Sequence, residues 1–174
     1  MPDTDPPLTP EQVAALLGAT VVTLRAEFDA LGADGVRWHP APGEWCVNEV
    51  LGHLLEAEQR GFAGRIRRII DQPGRRLRTW DQAAVASGRQ DCGKDGLMAE
   101  FERVREESIV LTLSLQPEQV ALTGDHPDVG QLSIANLIHE WPHHDRSHVK
   151  QVLSNVQAYA WQHMGNARRF SEID

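Results

Sequence analysis

The chain predicts an all-α fold, a four-helix bundle, on three observations. Four segments of helical length carry apolar residues every three or four positions. Clusters of Gly and Pro separate those segments. No stretch shows the convincing apolar–polar alternation of a half-buried strand, and there is no internal repeat or low-complexity tract. At 174 residues the chain fits a single domain spanning 1–174, with its core at about 8–159 between a short Pro-rich lead and a C-terminal tail. Such a chain can bury a core without metal or disulfides.

Each element has its own signals. Thr9-Pro10-Glu11-Gln12 offers an N-cap, a proline at the first helical position and acidic or amide side chains in the first turn, so a first helix follows to about Leu31. Gly32 to Gly43 is a connection holding Trp38-His39-Pro40-Ala41-Pro42-Gly43. A second helix is expected from about Val47 to Ile70, because Val47, Val50, Leu51, Leu54, Phe62, Ile66 and Ile69 mostly recur at helical spacing. Arg65, Arg67 and Arg68 crowd its end, where cations suit the helix dipole, and read as a solvated terminus.

Asp71 to Gly93, with Pro73, Gly74, Gly88 and Gly93, is a long connection between the second and third helices with room for one short helix. The third helix fits Asp95 to Leu115 with Leu97, Met98, Phe101, Val104, Ile109 and Leu113 inward. Thr123 to Gly130 is a turn cluster, and Ser133 caps a fourth helix from Ile134 to about Tyr159.

Lys and Arg total 17 against 25 Asp and Glu, a formal charge of -8. That charge repels phosphate backbones and anionic membranes, so neither nucleic acid nor membrane is an expected partner. No window reaches the roughly 18 apolar residues of a membrane span, and Met1-Pro2-Asp3-Thr4-Asp5 lacks the features of a secretion signal. A soluble cytoplasmic protein is the expectation. Cys46 and Cys92 are too few for a disulfide framework and read as reduced, inert small hydrophobes.

The chemistry lies in the histidines. His144 and His148 are four apart, so on a helix both imidazoles leave one face, near enough to grip one divalent cation. His53, in the apolar helical run Val50-Leu51-Gly52-His53-Leu54-Leu55-Glu56, is the natural third ligand. The competing readings are a pair of surface histidines at 144 and 148, and a core-edge His53 bonded to Glu49 or Glu56.

His139-Glu140-Trp141-Pro142-His143 also matches the H-E-x-x-H zinc-protease pattern. That pattern needs a regular helix, which Pro142 disturbs, and the extended spacing would put Gly at Arg146 and His at Val149. At roughly 100° per residue from His144, the apolar residues Ile134, Leu137, Ile138, Trp141, Val149, Val152 and Val156 fill an arc from about 20° to 140°. His144 and His148 lie at its edge, whereas His139 and His143 face solvent.

With these residues in view, the chain resembles the DinB/YfiT-like superfamily. The likeness is carried by Pro42-Gly43-Glu44-Trp45-Cys46-Val47-Asn48-Glu49-Val50-Leu51-Gly52-His53-Leu54 and by His144-Asp145-Arg146-Ser147-His148-Val149-Lys150-Gln151-Val152, an H-D-x-x-H-x-x-Q element. The resemblance implies an up-down-down-up four-helix bundle with a divalent metal held by His53, His144 and His148. It also implies relatives that are thiol-dependent S-transferases or isomerases using bacillithiol, mycothiol or glutathione.

The expected cofactor is a divalent metal ion, zinc or nickel first and copper, iron or manganese after them, with a low-molecular-weight thiol as a second candidate. The expected activity is S-transfer to a small electrophile; a metal-dependent hydrolase of a small ester or amide, or a non-catalytic metal-binding stress-response domain, are the alternatives. Glu49, Glu56 and Asp145 are the candidate acids or bases, or orienters of the imidazoles. The substrate is a small molecule, and the protein a monomer or homodimer.

Overall fold

The computed structural model describes residues 6–89 and 91–172, so the first five residues, Met1 to Asp5, lie outside the described part. Helix α1 spans Pro10–Gly35. Its start is closed by a reciprocal box in which the Thr9 hydroxyl accepts from the Gln12 amide at 3.3 Å and the Gln12 side chain accepts from the Thr9 amide at 2.9 Å. Gly32, with φ 68°, breaks its regular geometry at the end expected for it.

The second long helix comes in three parts: α2 (Val47–Glu56), a π-helical turn (Ala57–Phe62) and α3 (Ala63–Asp71). The expected span, Val47 to Ile70, is helical throughout, with a π-helical turn set into it. The extra backbone residue of the turn is accommodated at Gly64, where a Cβ would lie 2.1 Å from the Gln59 carbonyl oxygen.

Among its described residues the long connection carries one short helix, α4 (Gln82–Ser87). It leads to α5 (Lys94–Ser114), a single turn α6 (Pro117–Val120), strands β1 (Thr123–His126) and β2 (Gly130–Ser133), and α7 (Ile134–Trp161). A 3₁₀ turn, Gly165–Glu172, ends the described chain. The antiparallel hairpin β1–β2, in register Thr123↔Ser133, occupies what reads in the sequence as a turn cluster. Helix α7 continues through Pro142, which cannot donate to the preceding turn.

The long helices form the up-down-down-up four-helix bundle. Helices α1 and α2 each pack on both α5 and α7, so α1 and α2 stand at opposite corners. All ten residues of α2 are buried, which makes it the element most enclosed by its neighbours. Among the described residues the core falls into two apolar clusters. One gathers Leu24, Phe28, Leu51, Leu54, Met98, Phe101 and Val152; the other gathers Leu17, Phe62, Ile66, Leu137 and Trp141.

A charged layer accompanies them. Arg105 on α5, fully buried, bonds Glu58 at 2.8 Å and Asp145 at 3.1 Å, with its guanidinium 4.9 Å from the Phe101 ring centre and 5.7 Å from that of Trp141. Helix α5 therefore turns Arg105, Ser108 and Thr112 inward, while Leu113, expected inward, is 52% exposed. No helix among the described residues is long and apolar enough to cross a membrane.

Candidate metal centre

Helix α2 presents His53 and helix α7 presents His144 and His148 to one point between them. The Nε2 atoms of His53 and His144 lie 3.1 Å apart. Ring centres are separated by 5.2 Å for His53 and His144, 4.5 Å for His53 and His148, and 4.6 Å for His144 and His148. One nitrogen of each ring falls within 4.8 Å of the others. Two nitrogens bound tetrahedrally at zinc-type bond lengths would be about 3.3 Å apart, so the spacing suits a single ion.

Aromatic side chains wall the cluster. Trp45, just before α2, lies 5.2 Å from the His53 ring centre and stacks at 6.4 Å on His148. Phe62 at the end of the π-helical turn meets His144 edge-on at 5.2 Å. His148 Nδ1 is 3.0 Å from Gln151 Oε1, an acceptor, so Nδ1 carries the proton and Nε2 keeps its lone pair.

Burial pushes the His53 imidazole down to about 3, with the neighbouring His148 and His144 adding repulsion. Burial likewise brings His144 to about 4, helped by His148 and Arg105. His148 is lowered by burial against the opposing Gln151 hydrogen bond and Asp145 charge. All three rings are therefore neutral near pH 7 and can donate lone pairs. The buried Nδ1 atoms of His53 and His144 have no hydrogen-bond partner among the described residues. Three neutral imidazoles, each with one ring nitrogen turned to a common point, fit a borderline divalent cation.

The three candidate carboxylates are each engaged elsewhere. Glu49 accepts from the Cys46 amide at 2.8 Å, closing the start of α2, and lies 3.5 Å from His39 Nδ1. Glu56 pairs with Arg60 at 2.6 Å and Arg89 at 3.4 Å. Asp145 takes both terminal nitrogens of Arg105. Glu58, absent from the sequence reading, completes that buried group and accepts from the Trp141 indole at 3.1 Å. Burial pushes Glu58 up to about 7, against the pull of Arg105 and with the push of Asp145.

The other histidines stand apart. His143 is exposed, and His139 is half-buried rather than solvent-facing, its Nδ1 2.6 Å from the Ala135 carbonyl. Neither joins a three-residue group that could hold a metal among the described residues. His39, Cys46 and Glu49 do form a second close group, but the Nδ1–H of His39 donates to the Glu44 carbonyl at 2.8 Å.

A family model described as the DinB superfamily matches residues 16–152. No curated protein matches the chain. Among solved structures, YfiT from Bacillus subtilis, described as a probable metal-dependent hydrolase with an unusual four-helix bundle topology, aligns with a TM-score of 0.79. It shares 16% identity, and the alignment covers 91% of this chain and 94% of that one. The likeness at that identity is one of fold.

Proposed function

Because the chain belongs to the DinB superfamily, we propose that His53, His144 and His148 hold one divalent metal ion and that the protein is a metal-dependent enzyme acting on a small molecule. The convergence of three neutral imidazole nitrogens within 4.8 Å, from two helices, carries this reading. When bound, such an ion, zinc or nickel first, would act as a Lewis acid on a thiol or water at its remaining position.

The chain's own groups do the rest. Gln151 holds His148 in the tautomer whose Nε2 is free, and Trp45 and Phe62 shield the rings from bulk water. Glu49 fixes the start of the helix that carries His53.

Between reaction types, the engaged carboxylates favour thiol-dependent S-transfer. Hydrolysis calls for a base to take a proton from water and an acid for the leaving group, and Glu49, Glu56 and Asp145 are tied to a helix start or to arginines. In S-transfer the sulfur of a small thiol forms a bond to an electrophilic carbon, the leaving group departs with its electron pair, and the thiol proton passes to solvent. The hydrolase reading draws support from the description of YfiT.

Metal content after mild purification, with titration of zinc and nickel into the stripped protein, tests the metal. One ion per chain is expected, with binding weakened at least about 100-fold in His148→Ala, since one of three ligands is gone, and unchanged in His143→Ala. A wild-type protein that takes up neither ion defeats the reading. Turnover of thiols with electrophiles, against turnover of esters and amides, then separates the reactions. A non-catalytic stress-response domain would lose thermal stability in His148→Ala and show no turnover in the wild type.

A further inference from the structure

Seven of the chain's 17 basic residues fall between positions 60 and 78, in a molecule of net charge -8. The fold gathers them. After α3 the chain doubles back as a strap held by backbone bonds: the Gly74 amide donates to Thr123 O at 2.7 Å, Leu77 to Asp125 O at 2.8 Å, and Asp125 to Arg75 O at 3.0 Å. Leu77 is buried beneath the strap and Arg76 and Arg78 flank it on the exposed side, as an extended chain requires.

The result is a row of three adjoining recesses between α3 and the strap, and Arg68 and Arg78 border all of them. The innermost, of about 440 Å³, has Arg60 and Arg65 on its helical side and Trp80 as a flat wall. Arg65 lies 5.3 Å over the Trp80 ring, and Trp80 packs where Gly61 leaves space.

Most of these arginines lack an internal counter-charge, although Arg65 Nη2 lies 2.8 Å from His126 Nε2 and feels the charges of Glu140 and Asp128. Arg60 pairs with Glu56 at 2.6 Å, but no ion pair among the described residues reaches Arg67, Arg68, Arg75, Arg76 or Arg78. Asp71 and Asp128 border the outer recesses and leave the positive charge in excess. A solvated helix end accounts for Arg65, Arg67 and Arg68 alone; it does not account for a second arginine segment pinned opposite them. Guanidiniums held side by side repel unless an anion lies between them, and their fork geometry matches oxyanions.

We propose that this recess binds a small soluble molecule carrying two adjacent oxyanion groups, of the diphosphate or vicinal dicarboxylate kind. Its volume suits a metabolite-sized ligand. The acidic remainder of the surface opposes an extended polyanion such as RNA or an anionic bilayer.

Calorimetric titration of the full chain with inorganic pyrophosphate and, separately, with citrate tests this. Saturable one-to-one binding of either is expected, and the preferred ion identifies the phosphate or carboxylate class. Arg68→Gln combined with Arg78→Gln should weaken it at least about tenfold, the loss of one or two charge-assisted bonds. Arg168→Gln with Arg169→Gln, on the C-terminal turn, should leave it unchanged. Running the titration in His148→Ala separates this recess from ion capture at the histidines, since binding here persists when metal binding is lost. Should the double variant fail to fold, quenching of wild-type tryptophan fluorescence by the ion, lost in Trp80→Phe, reports the same site. Absence of binding, a stoichiometry of several ions, equal weakening in the remote variant, or binding only to RNA or anionic vesicles overturns the proposal.

Discussion

Cys46 has no exposed surface, and burial pushes its thiol up to about 11, so at neutral pH it stays protonated and sealed in. Cys92 is only half-buried. A disulfide thiol reagent should therefore label one cysteine of the native protein and the second only after denaturant, and fast labelling of both would contradict this packing. Gln151 is the other residue whose role is narrow enough to test. Gln151→Leu removes the acceptor that fixes the His148 tautomer, and metal affinity should fall roughly 10- to 100-fold with little change in fold, read by zinc competition against a chelating dye. The histidine cluster was legible at this scale because an i, i+4 pair and a third imidazole in an apolar run are local signals. The charged group behind it was not read. Asp145 lies at about 100° on the α7 wheel, inside the apolar arc, and that angle was the available sign of a buried carboxylate with a cation facing it. Its partner Arg105 sits on another helix forty residues away, and no local pattern names it.

The π-helical turn shows what element-level periodicity misses. Leu54 to Phe62 is eight residues, against about seven for two turns of α-helix, so an added residue is visible only as a slight drift in the apolar spacing. Gly64→Ala drives a Cβ against the Gln59 carbonyl and should destabilise the fold by on the order of 1–3 kcal/mol, the cost of overpacking, read from urea midpoints. An unchanged midpoint would mean that the turn readily reverts to α-helix. The β1–β2 hairpin escaped for a different reason: only Gly124 and His126 of β1 are buried, so the strand shows no apolar alternation. Helix starts fared better, since Thr9 and Ser133 cap as their residue types predict.

For the molecule as a whole, the buried group links stability to pH. Unfolded, Glu58 has the ordinary value of 4.5; folded, it titrates near 7, so the native state holds its proton more tightly. Arg105 and Asp145 are the charged groups facing it, with the Trp141 indole. Its contribution is therefore complete below pH 4.5 and fades as pH rises toward 7, a loss on the order of 3 kcal/mol. Glu58→Gln should flatten that slope in urea unfolding followed from about pH 5 to 8; a slope equal to wild type would place the titration elsewhere. Asp145→Ala, which leaves Arg105 facing Glu58 alone, should cost about 3–5 kcal/mol.

Apolar contacts carry no direction of their own, so they set the axial register of packed helices less sharply than a buried charge pair does. Arg105 reaches one acid on the π-helical turn and another on α7 at a single axial offset, and so acts as an alignment mark for the bundle. That mark stands next door to His144. Replacing Glu58, Arg105 and Asp145 together by apolar residues of like size should give a protein that melts at a higher temperature yet shows broadened nuclear magnetic resonance lines and scattered imidazole positions. Sturdiness and the ability to grip an ion would then have been traded against each other at one layer of the core.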